Sequence, residues 1–337
     1  MATIKDVAKA AGVSFKTVSR VVNRNPNVRD QVRQRVLRAA DALEYRPHLY
    51  ARHMRTQRSK VFAFISDDIA TTPFAGQIIQ GAQVTAWRHE MLLLMFNTGG
   101  DHTVEEAGVE AALERGVEGI IFATMYHRAV RLPKNAVRLP LVLADCFTAD
   151  GSVASVVPNE VNGGLTATNL LLQKGHRRIA MINANEKYPA AAGRLKGYRK
   201  ALKQFGIAED PELVRTGGWW QDDGYEQTLA LLKLKRPPTA MFCANDRVAM
   251  GAYDALKEKG FKIPEDISVV GFDDQELLSA HARPPLTTIR IPYFEMGAWA
   301  VELLLKGQPN HNERNGKAVM LECPPVLRAS VDKPRTR

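Results

Sequence analysis

From Val61 onward, short apolar runs alternate with segments of helical periodicity, and this alternation restricts the fold more than any other feature of the chain. The apolar runs are VFAFIS, LLLMFN, GIIFAT, IAMINA, AMFCAN and ISVVGF. Between them, apolar residues recur at helical spacing over 74–89, 104–115, 162–174, 193–205 and 246–259. Alternating strands and helices predict parallel sheets covered by helices on both faces. Two such series along the chain predict an α/β core of two doubly wound parallel-sheet lobes.

The first 46 residues follow a different pattern, which is typical of a small module of three helices. Thr3 and Asp6 form a start that is similar to a capping box, Gly12 provides a sharp turn, and Ser14 can cap a second helix. A third helix is expected over 30–43, with its inward face formed by Val32, Val36, Ala39 and Leu43. Helix, short glycine turn and helix is the helix-turn-helix pattern, whose second helix enters the major groove of DNA.

The second helix of this module has one apolar face and one face of mixed polar and aromatic residues. Three valines point inward at helical spacing, namely Val18, Val21 and Val22. The outward row consists of Phe15, Lys16, Ser19 and Arg20. A helix of about two turns is marginal by itself in water, so we expect the valines to hold it against the other helices while the outward row reads DNA.

The positive charge of the chain is concentrated in this module. Residues 1–60 contain 14 Lys and Arg against 4 Asp and Glu, whereas residues 61–337 contain 32 of each kind. A basic module joined to a neutral body indicates nucleic-acid binding. A solvated basic tail would lack the periodic apolar pattern seen here.

Several other classes of protein are disfavoured by what the sequence lacks. The three cysteines are far apart and lie mostly in apolar runs, which favours reduced thiols in the cytoplasm over a disulfide framework. We find no secretory signal, no run of about 18 apolar residues, no zinc-type spacing and no catalytic motif. An enzyme, a membrane protein, and a cofactor or metal site are therefore not expected. A sugar-binding transport receptor is disfavoured by the basic module and the missing signal.

Five segments carry a resemblance to a known family. They are TIKDVAKAAGVSFKTVSRVVN, RVLRAADALEYRPHLYARHM, GHRRIAMI, CANDRVAMGAYDAL and IPEDISVVGFDD. In this order they resemble the lactose-repressor/galactose-repressor family of bacterial transcription regulators. The resemblance implies a headpiece over 1–46, a hinge helix or linker over 47–60, and an effector-binding and dimerisation core over 61–337. The core would be similar to periplasmic binding proteins, with lobe 1 at about 61–160 plus 291–323 and lobe 2 at about 161–290 plus 324–337.

The resemblance also implies which residues bind DNA. Phe15, Lys16 and Arg20 occupy base-contacting positions, and lysine donates well to guanine O6 and N7. Thr17 and Ser19 are expected to contact phosphates, which positions the protein without reading sequence. In the hinge, Ala51 and Met54 are expected at the minor groove, where Met54 stands in place of the usual leucine wedge. The alternative is that residues 47–60 form a simple basic linker.

Ligands of open α/β sheets bind beyond the carboxyl ends of the strands. By position there, the resemblance implies effector contacts from Phe74, Asp145, Asn159, Arg194, Trp219, Asp246 and Asp273. Asn159 is a weaker candidate, because Pro158 stands where the family often has Asp, and Asp246 could instead cap a helix. Carboxylates, an arginine and aromatic rings suit a polyol.

Three of these carboxylates against one arginine favour a neutral sugar or glycoside over a phosphorylated effector. The alternative is a purine, or a phosphoprotein that acts as corepressor. The family further implies a palindromic operator as partner, with release of DNA when the effector binds. The polar end RASVDKPRTR lacks a leucine-heptad tail, so we expect a homodimer with its two reading helices about 34 Å apart.

Overall fold

The computed structural model describes residues 2–22, 25–45, 58–68, 73–307 and 317–335, with only the backbone for 73–75. The chain divides into two compact units, Met1–Lys60 and Val61–Arg337, and each is considered by itself.

The first unit contains three helices, α1 (Ile4–Ala10), α2 (Phe15–Val22) and α3 (Asp30–Ala42). Helix α1 begins with the predicted capping box, in which the Thr3 and Asp6 side chains each accept from the other residue's backbone N–H. Gly12 adopts a φ of 58°, which glycine tolerates without strain, and the Ser14 hydroxyl accepts from the Thr17 N–H at 3.1 Å. The predicted helix-turn-helix fold is confirmed.

A small apolar core holds these helices together. It is built around Val7, Val18, Val21 and Val36, which are buried. Leu43 was expected to point inward, and that expectation is wrong. Helix α3 ends at Ala42, so Leu43 falls outside the helical periodicity and is exposed.

The second unit begins with a six-stranded parallel sheet in the order β11-β5-β4-β3-β1-β2. Its strands are β1 (Val61–Ser66), β2 (Leu92–Asn97), β3 (Ile120–Ala129), β4 (Leu141–Phe147), β5 (Ser155–Pro158) and β11 (Val319–Leu321). Helices α4 (Pro73–Arg88), α5 (His102–Glu114) and α11 (Tyr293–Leu305) accompany it, with a 3-10 turn at Ala136–Arg138. Burial of nearly every β1, β3 and β4 side chain up to Met125 and Cys146 agrees with a sheet covered on both faces.

The second sheet has four parallel strands in the order β7-β6-β8-β9. They are β6 (Ile179–Asn183), β7 (Val214–Thr216), β8 (Ala240–Cys243) and β9 (Ser268–Val270). Its helices are α6 (Glu160–Gln173), α7 (Pro189–Gln204), α8 (Gln221–Leu232), α9 (Asp246–Glu258) and the short α10 (Glu276–Ser279), with a 3-10 turn at Pro211–Leu213. Two doubly wound parallel sheets are the predicted fold class, which is confirmed.

The chain passes between the two sheets three times. Strand β5 of the first sheet ends at Pro158, and helix α6 then packs against α7 beside the second sheet. The two short strands β10 (Thr288–Ile289) and β12 (Pro325–Val326) pair antiparallel, and they connect to α11 and β11 respectively.

Two further expectations from the sequence concern the cysteines and membrane-spanning segments. Cys146, Cys243 and Cys323 are buried free thiols, as their apolar surroundings predicted. Within the described ranges, no helix is both long and apolar enough to cross a membrane.

Candidate functional site

Helix α2 presents the predicted DNA-reading row on its surface. Val18 and Val21 are buried, whereas the Phe15 ring is 53% exposed and Lys16 and Arg20 are exposed. Thr17 and Ser19 lie at intermediate depth beside them. The helix therefore offers an aromatic ring and two cations to a partner. Ala51 and Met54, the predicted hinge contacts, lie outside the described residues.

A cavity of about 270 Å³ lies between the two sheets of the second unit. Strand ends of the first sheet provide one wall, and α7, α9 and the segment after β9 provide the other. The lining residues are Met125, Tyr126, His127, Asp145, Glu160, Tyr188, Ala190, Arg194, Trp219, Trp220, Asn245, Arg247, Asp273, Ile291 and Tyr293. The position agrees with the rule that ligands of α/β sheets bind beyond the carboxyl ends of the strands.

The guanidinium of Arg194 lies deep in this cavity and is only 3% exposed. Its Nε donates to Oε2 of Glu160 at 2.7 Å and its Nη2 to Oε1 at 3.3 Å, which makes a bidentate pair. Nη1 donates to the carbonyl oxygen of Ala244, and Nη2 lies 3.5 Å from Oδ1 of Asp273. The Arg194 Cζ lies 3.8 Å from the ring centroid of Phe272. Arg194 is thus held on all sides.

Glycines allow the helices that carry this pair to approach closely. A Cβ on Gly164 of α6 would lie 2.3 Å from the Arg194 carbonyl oxygen, and one on Gly193 of α7 would lie 2.5 Å from the Glu160 Cβ. A Cβ on Gly197 would lie 2.3 Å from the Val161 carbonyl oxygen. The glycine spacing in the sequence therefore brings α6 and α7 into backbone contact and sets Glu160 against Arg194.

Two aspartates face the cavity from opposite sheets. Asp145 in β4 and Asp273 after β9 both have left-handed backbone, with φ of 58° and 100°. Such conformations cost non-glycine residues about 1–3 kcal/mol and collect at functional sites. Among the described residues, Oδ1 of Asp145 has no hydrogen-bond partner. Asp273 accepts from the Gln275 side chain at 3.3 Å.

The cavity changes how these acids titrate. Burial, and then the charge of Glu160, raise the pKa of Asp145 well above its ordinary value. Burial raises the pKa of Asp273 to about 7, although Arg194 opposes that change. Burial acts in the same direction on Glu160, but the charge and the hydrogen bonds of Arg194 prevail and lower its pKa. Of the three acids, Glu160 is therefore the one that is most firmly ionised.

Aromatic rings complete the lining. Trp219 packs edge to face against Tyr188, with ring centroids 6.0 Å apart, and its centroid is 5.6 Å from the Arg194 Cζ. Trp220 is 60% exposed at the rim, where the Arg247 guanidinium lies 4.8 Å from its ring centroid. Rings beside carboxylates provide both an apolar face and hydrogen-bond acceptors for a ligand.

The structure places two predicted effector residues, Asp246 and Asn159, away from the described lining. Asp246 is fully buried, and its carboxylate accepts from the Thr288 hydroxyl and the Gln275 N–H, both at 2.6 Å. The capping role considered for Asp246 belongs to Asn245, which accepts from the Val248 N–H at 2.8 Å. Asn159 caps α6 and donates to Glu322. The backbone of Phe74 starts α4, and its side chain lies outside the described residues.

Several lining residues were not identified from the sequence, among them His127, Glu160, Tyr188 and Tyr293. Glu160 lies two residues after the end of β5, so the strand-end rule could have found it if this short strand had been recognised. His127 was hidden because β3 continues to Ala129, past the apolar run, through an irregularity against β4 between Ala123 and Arg128. Its Nδ1 lies 3.8 Å from Oε1 of Glu160.

Comparison with known proteins agrees with both units. Residues 3–48 match the bacterial regulatory proteins of the lacI family, and residues 168–331 match the periplasmic binding protein-like domain. The ribose operon repressor of Haemophilus influenzae is 34% identical over 98% of this chain and 99% of its own length. The HTH-type transcriptional repressor PurR of Mannheimia succiniciproducens is 33% identical over 99% of each. The Lac repressor dimer bound to operator and the anti-inducer ONPF superposes with a TM-score of 0.79 at 28% identity, covering 98% of both chains.

The fold and the site thus define a DNA-binding transcription regulator in which a helix-turn-helix unit is joined to a ligand-binding α/β core. More specifically, the chain belongs to the LacI family of bacterial transcriptional repressors.

The raised pKa of Asp273 predicts a particular dependence of stability on pH. Between about pH 4 and pH 7, folded Asp273 retains a proton that the unfolded chain has released. The free energy of unfolding of the wild type, relative to Asp273→Asn, should therefore fall as pH rises through this range, by at most about 1.4 kcal/mol per pH unit.

Urea titrations followed by tryptophan fluorescence measure this difference, since all four tryptophans lie in the second unit. A difference that is constant with pH, or that grows as pH rises, would contradict the assignment.

Proposed function

We propose that this repressor binds a palindromic operator as a homodimer and that a small neutral sugar or glycoside in the cavity releases it from DNA. The observation that carries the effector class is the pair of buried carboxyl groups of Asp145 and Asp273, beside Trp219. Carboxylates accept hydrogen bonds from sugar hydroxyls, and ring faces pack on the C–H face of a sugar. Pockets for drug-sized ligands measure about 300–1,000 Å³, so a cavity of about 270 Å³ suits a small ligand.

The names of the relatives alone do not identify the effector. One relative is named for a ribose operon, which supports a sugar as effector. The similarly related repressor PurR does not carry a sugar in its name and gives no such support. A purine or nucleoside is therefore the second candidate. Thermal shifts of the full-length protein against neutral sugars and against nucleobases and nucleosides would separate the two.

For DNA recognition, we propose that Phe15, Lys16 and Arg20 contact bases and that Thr17 and Ser19 contact phosphates. Exposure of the row on one face of α2 supports this assignment. The hinge segment with Ala51 and Met54 is proposed to contact the minor groove. A repressor of this kind acts in the cytoplasm, where its operator lies.

Lys16→Ala should weaken binding to the operator by about 1–3 kcal/mol, because a base-specific contact is lost. Binding to random DNA should change far less. The operator can be selected from a random pool with the wild-type protein, and affinities then measured by fluorescence anisotropy at fixed salt.

Lys9→Ala is the matched control for Lys16→Ala, since it removes the same charge from an exposed position on α1. Equal losses on operator and random DNA for Lys16→Ala would show that Lys16 contacts only phosphate.

Asp145→Asn should leave operator affinity unchanged and abolish its response to the sugar. A hundredfold release by effector requires about 2.7 kcal/mol of coupling, which the ligand supplies through its different affinities for two states of the core. Operator affinity with and without the sugar identified by thermal shift measures the response.

Asp150→Asn serves as control, because Asp150 is an exposed aspartate in the turn after β4. If a folded Asp145→Asn protein instead lost operator binding, the effector would act as a corepressor and the proposed direction of the switch would be wrong.

The homodimer is supported by exposed apolar residues at the edge of the first sheet. Strand β2 is the edge strand there and exposes Leu92 and Met95, and the preceding helix exposes Trp87. Large exposed apolar side chains on an edge strand indicate an interface. The Lac repressor structure to which this chain is similar is a dimer on its operator.

Leu92→Glu should therefore shift the protein toward monomer in equilibrium sedimentation. Val137→Glu, at another exposed apolar position of the first lobe, should leave the dimer intact. A wild-type protein that sediments as a monomer or as a stable tetramer at micromolar concentration would refute the homodimer.

A further inference from the structure

Each of the three guanidinium nitrogens of Arg194 already donates a hydrogen bond within the protein. One edge of the guanidinium, formed by Nε and Nη2, donates to the two carboxylate oxygens of Glu160. The third nitrogen, Nη1, donates to the carbonyl oxygen of Ala244. One face of the guanidinium lies against Phe272. The planar fork that normally recognises a carboxylate or phosphate is therefore filled by a side chain of the same protein.

The cavity instead offers acceptors. Oδ1 of Asp145 is buried and, within the described part of the chain, has no hydrogen-bond partner. Asp273 adds a second buried carboxylate, 3.5 Å from Arg194. An entering anionic group would meet these acids and would have to displace Glu160 to reach the fork. Displacement would leave Glu160 as an uncompensated buried charge.

Two further side chains with ring or guanidinium nitrogens, His127 and Arg247, line the cavity. His127 approaches Glu160 from the first sheet, with its Nδ1 3.8 Å from Oε1. Arg247 lies at the rim, where its Nε donates to the Gln275 side chain and its guanidinium faces the exposed Trp220 ring. The deepest part of the cavity thus presents carboxyl groups to an approaching ligand, and its central cation, Arg194, is already paired with Glu160.

We infer that Glu160 is a specificity-determining residue: by filling the fork of Arg194, it restricts the cavity to effectors that have neither a carboxylate nor a phosphate. The inference rests on the proposed function only in taking this cavity as the effector site. It assigns to a residue at the first chain crossing a role in selecting ligands.

Matched ligand pairs test this role in the full-length protein. The probes are hexoses with their uronic acids and their 6-phosphates, and nucleosides with their 5′-monophosphates, measured by isothermal titration. The wild type should bind the neutral member of a pair at least a hundredfold more tightly than the anionic member. In Glu160→Gln, which keeps the size of the side chain and one acceptor but frees part of the fork, this ratio should fall at least tenfold.

Glu322→Gln is the matched control. Glu322 binds the Asn159 and Asn162 side chains at the start of the same helix, does not line the cavity, and carries the same charge. Its substitution should leave the ratio of affinities unchanged. Glu160→Asp provides a second variant with the charge retained on a shorter side chain, should Glu160→Gln fail the check of thermal unfolding.

The outcomes separate the inference from the proposed function. Equal binding of both members of a pair by the wild type would overturn the inference, as would equal weakening of both by Glu160→Gln. Anion binding that disappears in Arg247→Gln and does not respond to Glu160 variants would also overturn it. If nucleosides bind and sugars do not, the proposed effector class fails, while the nucleoside pairs still test Glu160.

Discussion

The buried ion pair of Arg194 and Glu160 is the interaction on which the arrangement of the core depends. A guanidinium that is almost fully removed from water costs free energy unless acids and acceptors surround it. Glu160, Asp273 and the Ala244 carbonyl meet that requirement. To bring Glu160 within reach, α6 and α7 must touch at their backbones, which the glycines at 164, 193 and 197 permit. Burial in the same cavity is the main cause of the raised pKa values of Asp145 and Asp273, and the charge of Glu160 adds to it.

Much of the fold could be predicted because it is encoded locally. The apolar runs of β1 and β2 coincide with the observed strands, and Thr3, Gly12 and Ser14 act in the first unit as their chemistry predicts. Asp145, Arg194, Trp219 and Asp273 lie around one cavity because the carboxyl ends of parallel strands share an edge. The family resemblance added the chain crossings, which no local pattern contains.

Other features depend on contacts between distant parts of the chain and could not be derived locally. Whether Asp246 turned toward a ligand depended on Thr288 and Gln275, which hold both of its oxygens. His127 lies in a polar continuation of β3, beyond the apolar run from which the strand was predicted. Glu160 resembled an ordinary first-turn acid of a helix, and only the approach of α7 turns it into the partner of a buried arginine.

The three passages of chain between the sheets also bear on how such proteins diversify. Each lobe is assembled from segments that are separated in the sequence, so a recombination event at one point cannot replace one lobe without cutting through the other. The basic unit, in contrast, is joined at the single junction of Lys60 and Val61. Exchange of the gene segment for the basic unit can therefore direct this repressor to a new operator in one step. A new ligand preference, in contrast, must arise by point substitutions within an intact core.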